Sequence, residues 1–122
     1  MNKELEVGEY VRTKDGIIDK VNNYSLGCNV WHCKNGMCID ECNAIGVYLK
    51  DIINHSKNII DLIEVGDYIN GYKVVNSNQD VPEIVLRTDI GFWYINKGNV
   101  NEIQSIVTKE QFEQMKYIVK EE

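Results

Sequence analysis

The chain has 122 residues, with 13 Lys+Arg against 19 Asp+Glu, which gives a formal net charge of −6. This length fits one domain or two small lobes, each of which buries little surface by itself. Because the acidic chain lacks a basic stripe, we expect no direct nucleic-acid binding, and no apolar run is long enough to predict a signal sequence or a membrane span. These features predict a protein of the cytoplasm.

A repeated segment opens each half of the chain. Residues 5–11 (LEVGEYV) recur as residues 63–69 (IEVGDYI), and a Gly-containing turn and a β-branched run follow each copy. Small SH3-like barrels often begin in this way, because Gly relaxes the backbone before a strand whose Val and Tyr alternate onto the core. The sequence therefore predicts a mainly β (α+β) protein of two tandem SH3-like modules, residues 1–58 and 59–122.

The four cysteines fall within a single short segment of the first module, residues 28–42. In a reducing compartment, clustered thiols favour a tetrahedral Zn²⁺ site, with disulfides or unlinked thiols as the alternatives. A closed four-ligand site is structural, so we expect one Zn²⁺ per chain that stabilises a small module. The predicted ligands are Cys28, Cys33, Cys38 and Cys42.

An Asn-Gly pair at residues 35–36 lies at the centre of this segment and is the strongest signal for a two-residue type I′ hairpin. A turn at this place makes Cys33 face Cys38, with both sulfurs on one face. Strand alternation then puts His32 on the opposite face, which favours Cys28 as a ligand instead. A Cys₃His site that uses His32 is the alternative if the register slips.

The second half begins with a link at residues 56–62 that contains one helical turn, and His55 beside it is interpreted as a solvated or locally hydrogen-bonded side chain. Residues 83–88 and 91–95 are β-branched and aromatic runs that predict a hairpin. Its aromatic residues, 92–94, are interpreted as core plus one exposed anchor rather than as a base-stacking platform. Thr108 and Gln111 form a capping box that predicts a helix over 109–114, followed by a closing strand over 115–119.

Two segments resemble known proteins. Residues 59–74 (IIDLIEVGDYINGYKV) and 105–113 (SIVTKEQFE), with the opening at residues 7–16, resemble small phage and prophage proteins of low-GC bacteria. The cysteine-rich segment departs from most of them, and a zinc-binding member is similar to phage anti-CRISPR proteins that inhibit type II effector nucleases. The resemblance implies a non-enzymatic inhibitor that binds a type II CRISPR effector in the cytoplasm of the bacterial host.

An inhibitor of this kind is consistent with the sequence, which carries no HExxH, P-loop, GxSxG or dinucleotide-binding motif. Such effectors hold nucleic acid in positively charged channels, which attract an acidic protein. The alternatives are a phage structural or accessory module and a zinc-dependent regulator associated with nucleic acid. The candidate partner-binding carboxylates lie near the zinc hairpin or the link between modules: Asp40, Glu41, Asp61 and Glu64.

Overall fold

The structure is a computed structural model that describes residues 5–27, 29–40, 47–78 and 80–115. The backbone divides into two compact units, Met1–Leu62 (unit 1) and Ile63–Glu122 (unit 2). As the sequence predicts, the described residues are mainly β, with two sheets and one short α-helix. Within these ranges no helix has the length and hydropathy needed to cross a membrane.

Unit 1 contains a six-stranded sheet in the order β5-β4-β3-β2-β1-β6, antiparallel except where β4 pairs with β5. Its core is formed by apolar side chains from one face of these strands, including Val11, Val21 and Ile39. Two 3₁₀ turns, Leu49–Asp51 and Ile59–Leu62, flank the last strand. The strands are β1 Tyr10–Thr13, β2 Ile18–Ser25, β3 Val30–Cys33, β4 Cys38–Asp40, β5 Val47–Tyr48 and β6 Ile52–Ser56.

Unit 2 contains a five-stranded antiparallel sheet in the order β10-β9-β8-β7-β11. Alternate residues of its long strands are buried, among them Val74, Leu86 and Ile95, as period-2 alternation requires. The strands are β7 Tyr68–Ile69, β8 Tyr72–Asn78, β9 Glu83–Thr88, β10 Gly91–Asn96 and β11 Ile106–Val107, with a 3₁₀ turn at Val100–Glu102 and helix α1 at Lys109–Met115.

The two copies of the repeated segment make the same hydrogen bonds. In unit 1 the Gly8 N–H donates to the Val21 carbonyl at 2.8 Å, and in unit 2 the Gly66 N–H donates to the Val74 carbonyl at 2.9 Å. Both glycines have positive φ, 99° and 102°, which is why glycine stands at this point of each repeat. The repeat also extends into the next strand, since β2 and β8 are each irregular directly after the bonded valine.

Several local predictions are confirmed. The hairpin of β9 and β10 and the helical turn at Ile59–Leu62 lie where the sequence places them. The capping box before α1 is formed, because the Gln111 N–H donates to Thr108 Oγ1 at 3.3 Å and the Thr108 N–H donates to Gln111 Oε1 at 3.1 Å. Met115 ends this helix and does not begin a strand; residues 116–119 lie outside the described residues.

Unit 1 ends at Leu62 rather than at residue 58. The reason is that hydrogen bonds tie the 3₁₀ turn to unit 1. Buried Arg12 donates from Nη1 to the Leu62 carbonyl at 2.8 Å, and Asn54 Nδ2 donates to the Asp61 carbonyl at 3.0 Å.

Candidate functional site

The cysteine-rich hairpin has a three-residue loop, not the predicted two-residue loop. The Gly36 N–H donates to the Cys33 carbonyl at 3.1 Å, the Cys33 N–H donates to the Met37 carbonyl at 2.8 Å, and Gly36 has a φ of 98°. This pattern is a type I turn followed by a left-handed glycine. A type I′ turn would also require positive φ at Asn35, which is not among the described residues with positive φ.

The longer loop changes which residues face each other. His32 pairs with Cys38, and Trp31 pairs with Ile39. The predicted pairing of Cys33 with Cys38, with both sulfurs on one face, is therefore wrong, because a shift of one residue moves a side chain to the other face. His32 does lie on the face opposite Cys33, as predicted, but Cys38 lies on the His32 face. His32 Nδ1 lies 3.7 Å from Cys38 Sγ.

Cys33 belongs to the core of unit 1, where it is 7% exposed and packs in the same cluster as Trp31 and Ile39. Burial, followed by the charges of Asp19 and Cys38, raises the pKa of the Cys33 thiol to about 12. The Cys33 side chain faces the core, on the side of β3 opposite His32 and Cys38, so this position is unfavourable for a ligand shared with that pair. Asp19 also accepts the Asn35 N–H at 3.2 Å and so ties the loop to β2.

The His32–Cys38 pair is the part of the predicted metal site that the structure brings together. Cys28 and Cys42 lie outside the described residues. Within the described part of the chain, no group of three or more His, Cys, Asp or Glu side chains is placed to hold a metal ion. Imidazole nitrogen and thiolate sulfur are both ligands that Zn²⁺ prefers.

The pairing of His32 with Cys38 could have been predicted from the hydrophobic pattern of the sequence. The observed register puts the apolar residues Trp31, Met37 and Ile39 on the same face as Cys33, whereas the predicted register separates Trp31 from Ile39. Burial of one sheet face strongly specifies register. The apolar alternation was therefore a better signal for the hairpin than the Asn-Gly pair.

The predicted partner-binding carboxylates are less accessible than expected. Asp40 is only 2% exposed, so its use as an exposed contact is wrong. Asp61 is half-buried and accepts the Ser56 hydroxyl at 2.7 Å, and Glu64 forms an ion pair with Lys109 at 2.7 Å. Glu41 lies outside the described residues.

The His55 ring is paired with a residue distant in sequence rather than solvated or hydrogen-bonded locally. Its Nδ1 lies 3.0 Å from Glu9 Oε2, and both side chains are half-buried. The pair joins β6 to the turn before β1, so a structural role accounts for its position.

The β9–β10 hairpin presents two aromatic side chains where the sequence predicts one exposed anchor. Phe92 and Tyr94 are 59% and 53% exposed, while Trp93 points to the other face and contacts Tyr72 edge-on. Phe92 and Tyr94 lie opposite Arg87 and Val85 on β9. Sequence reasoning identified these aromatic residues but did not separate their faces.

No known protein family, curated protein or solved structure matches this chain.

Proposed function

We propose that this chain is a non-enzymatic phage anti-CRISPR protein that binds a type II CRISPR effector nuclease in the bacterial cytoplasm. The main support for the proposal is the excess of acidic over basic side chains. The net charge is −6, and the exposed residues Asp80 and Glu102 have no Lys or Arg side chain within 4 Å in the described part of the chain. The resemblance to phage proteins predicted for residues 59–74 and 105–113 is the other reason for this assignment, and it stays a prediction.

The mechanism of such inhibition is competition for a charged surface. A type II effector holds its guide and target strands in a positively charged channel. Acidic side chains accelerate the approach to that channel and orient the bound protein, and salt weakens the attraction. The inhibitor consumes no cofactor and acts at a fixed stoichiometry.

A structural Zn²⁺ in the cysteine-rich hairpin is part of this proposal, with His32 and Cys38 as two of its ligands. With bond lengths of about 2.3 Å to sulfur and 2.0–2.1 Å to nitrogen, two ligand atoms on a tetrahedral zinc lie about 3.6 Å apart. The separation of His32 Nδ1 and Cys38 Sγ, 3.7 Å, fits this value. Cys28 and Cys42 are the remaining proposed ligands, and Cys33 is not, because its side chain is in the core.

The proposal also includes a more specific description of the fold, as two tandem SH3-like modules. Its support is the matched turn: the Gly8–Val21 and Gly66–Val74 hydrogen bonds are followed in both units by an irregular second strand. The repeat opens β1 in unit 1 and β7 in unit 2. From each of these strands the next three strands of the chain follow as neighbours in the sheet, in the orders β1-β2-β3-β4 and β7-β8-β9-β10.

The test is a cleavage assay with a purified type II effector, its guide and target DNA. We expect dose-dependent loss of cleavage and a stoichiometric complex in size-exclusion chromatography. Replacing Asp80 and Glu102 with Lys should slow association mainly at low salt, whereas Lys97→Glu, a reversal of the opposite sign, should not slow it. Full cleavage by several type II effectors at large excess, without a complex, would overturn the proposal. Co-sedimentation with phage particles would then favour the accessory module.

A further inference from the structure

One face of the sheet in unit 2 combines aromatic, cationic and amide side chains, and we call it the aromatic face. Cross-strand pairing puts Lys73 beside Arg87 and Arg87 beside Phe92, while Asn76 lies beside Val85 and Val85 beside Tyr94. Five of these side chains are exposed and Val85 is half-buried. The buried residues Val74, Leu86 and Ile95 occupy the opposite face. The aromatic face therefore comprises Lys73, Asn76, Val85, Arg87, Phe92 and Tyr94, and the same alternation puts Glu83 at the end of this face, where it lines one cavity with Phe92 and Tyr94.

The two rings stand on one strand at alternate positions. Strand geometry separates their Cα atoms by about 6.7 Å. Phe92 and Tyr94 are both more than half exposed, so a flat ligand can reach a face of each ring. Stacking of successive bases on exposed aromatic side chains is the main sequence-tolerant contact in single-strand binding.

The aromatic face carries two neighbouring cations, Lys73 and Arg87. Lys73 and Arg87 occupy directly opposed positions on neighbouring strands, an arrangement in which like charges destabilise a sheet. Neither has a carboxylate within 4 Å in the described ranges. Glu83 is on the same strand as Arg87 but about 13 Å away along it, beyond the Debye length of about 10 Å at 0.1 M salt. Lys73 and Arg87 therefore form a local pair of cations without a carboxylate in ion-pair contact among the described residues, although Glu110 and Glu113 line the same cavity as Lys73.

The edge of the sheet is less available than its face. Asn99 Nδ2 donates to the Tyr94 carbonyl at 3.1 Å, and the Asn96 N–H donates to Asn99 Oδ1 at 2.8 Å. The Asn99 side chain thus occupies backbone groups of β10 that an added strand would need. A ligand that uses Phe92 and Tyr94 must approach the face, not the edge, which disfavours pairing with a second copy through β10.

We infer that the aromatic face binds single-stranded nucleic acid. Two bases stack on Phe92 and Tyr94, the phosphodiester chain lies against Lys73 and Arg87, and the Asn76 amide is available to base edges. This site goes beyond the proposed function, whose partner is a protein, and it departs from the expectation drawn from net charge. Whole-chain composition does not describe this face, because its charged groups act over short distances.

The test uses the complete protein and a fluorescent deoxythymidine octamer, with anisotropy as the measurement and a duplex of equal length as the control. We expect saturable binding of the single strand and weaker binding of the duplex, whose bases cannot stack on the rings. With two phosphate contacts, log K should fall with log salt with a slope of about −1.4. No saturable binding at about 1 mM octamer and low salt, weaker than ordinary non-specific binding, would overturn the inference.

Substitutions on the aromatic face test which side chains bind the octamer. Phe92→Ala and Tyr94→Ala should each weaken binding about 5- to 140-fold, and Lys73→Gln or Arg87→Gln should make the salt slope shallower by about 0.7. The matched control Lys97→Gln removes another exposed cation and should change neither. Equal effects of Lys97→Gln and Lys73→Gln would overturn the site. If the octamer does not bind but the same variants abolish the effector complex, the face is a protein-docking surface and the nucleic-acid assignment is wrong.

Discussion

Separate substitutions of two neighbouring residues, His32 and Cys33, give the most direct test of the proposed metal centre. The sequence alone makes Cys33 a ligand and leaves His32 as an alternative, whereas the register pairs His32 with Cys38. We predict that His32→Ala weakens zinc binding strongly. Cys33→Ala should leave the zinc affinity close to that of the unmodified protein.

The expected loss of zinc affinity follows from dividing the free energy of zinc binding equally among four ligands. Structural Zn²⁺ sites in small domains are worth about 10–16 kcal/mol, so one ligand contributes about 3 kcal/mol, or two orders of magnitude in Kd. His32→Ala and Cys38→Ser should each show a loss of this size. Cys33→Ala should instead cost about 1 kcal/mol of folding stability, because it leaves a small cavity beside Trp31 and Ile39.

Competition with a chromophoric zinc chelator measures the affinities, and elemental analysis of protein purified without added metal gives the stoichiometry. Cobalt substitution provides a second readout, because the intensity of thiolate-to-metal charge transfer follows the number of thiolates. That intensity should be unchanged in Cys33→Ala and lower in Cys38→Ser. Unchanged zinc affinity in His32→Ala, together with lost affinity in Cys33→Ala, would refute the ligand assignment. Well under half an equivalent of zinc in the unmodified protein would refute the metal site itself.

Three further predictions concern folding and thiol chemistry. Asp67→Ala should lower the free energy of unfolding by about 3 kcal/mol in urea titrations, because the buried carboxylate accepts the Glu64 and Lys109 N–H groups at 2.7 and 2.8 Å; a loss below about 1 kcal/mol contradicts this. Thr108→Ala should cost about 1 kcal/mol in the same assay through loss of the helix cap, while Gln104→Ala at an exposed position outside the helix should cost little. In the metal-free protein, Cys33 should be alkylated more slowly than Cys38 at pH 8, as mass spectrometry can show, because its raised pKa keeps the thiol protonated. Equal alkylation rates of the two thiols would contradict this prediction. The contribution of the protonated Cys33 thiol to folding stability should be lost as the pH rises from 9 towards 12.

Local signals in the sequence predicted local structure well. The capping box at Thr108 and Gln111 needs only neighbouring residues, and the structure forms both of its hydrogen bonds. The β9–β10 hairpin was equally accessible, since its β-branched and aromatic runs have few other stable arrangements.

The features that sequence reasoning missed depend on contacts between strands. An Asn-Gly pair fits a two-residue or a three-residue loop, and the choice is made by which side chains the sheet buries. Here Trp31 and Ile39 must both reach the core, which fixes the register and brings His32 to Cys38. The burial of Asp40 and the ion pair of Glu64 likewise depend on tertiary neighbours.

The repeat relates the two candidate sites to each other. In unit 1, β2 pairs Val21 with Cys33 and Asn23 with His32; in unit 2, β8 pairs Val74 with Leu86 and Asn76 with Val85. The correspondence makes Cys33 the counterpart of a core residue, Leu86, which is why a side chain there is buried. His32 and Cys38 are then the counterparts of Val85 and Tyr94.

The same strand face of the same hairpin thus carries the proposed metal-ligand pair in unit 1 and the aromatic face in unit 2. A repeat that conserves the core positions leaves the outer positions free to differ, because only the inner face has to fill a packed interior. Substitutions on the outer face of unit 2 should therefore change nucleic-acid binding with little loss of stability. Substitutions of His32 or Cys38 should lower stability only through the zinc that they release, so the metal-free variants should be about as stable as the metal-free unmodified protein. Substitutions at the paired inner positions, Cys33 and Leu86, should instead lower stability with little change in binding.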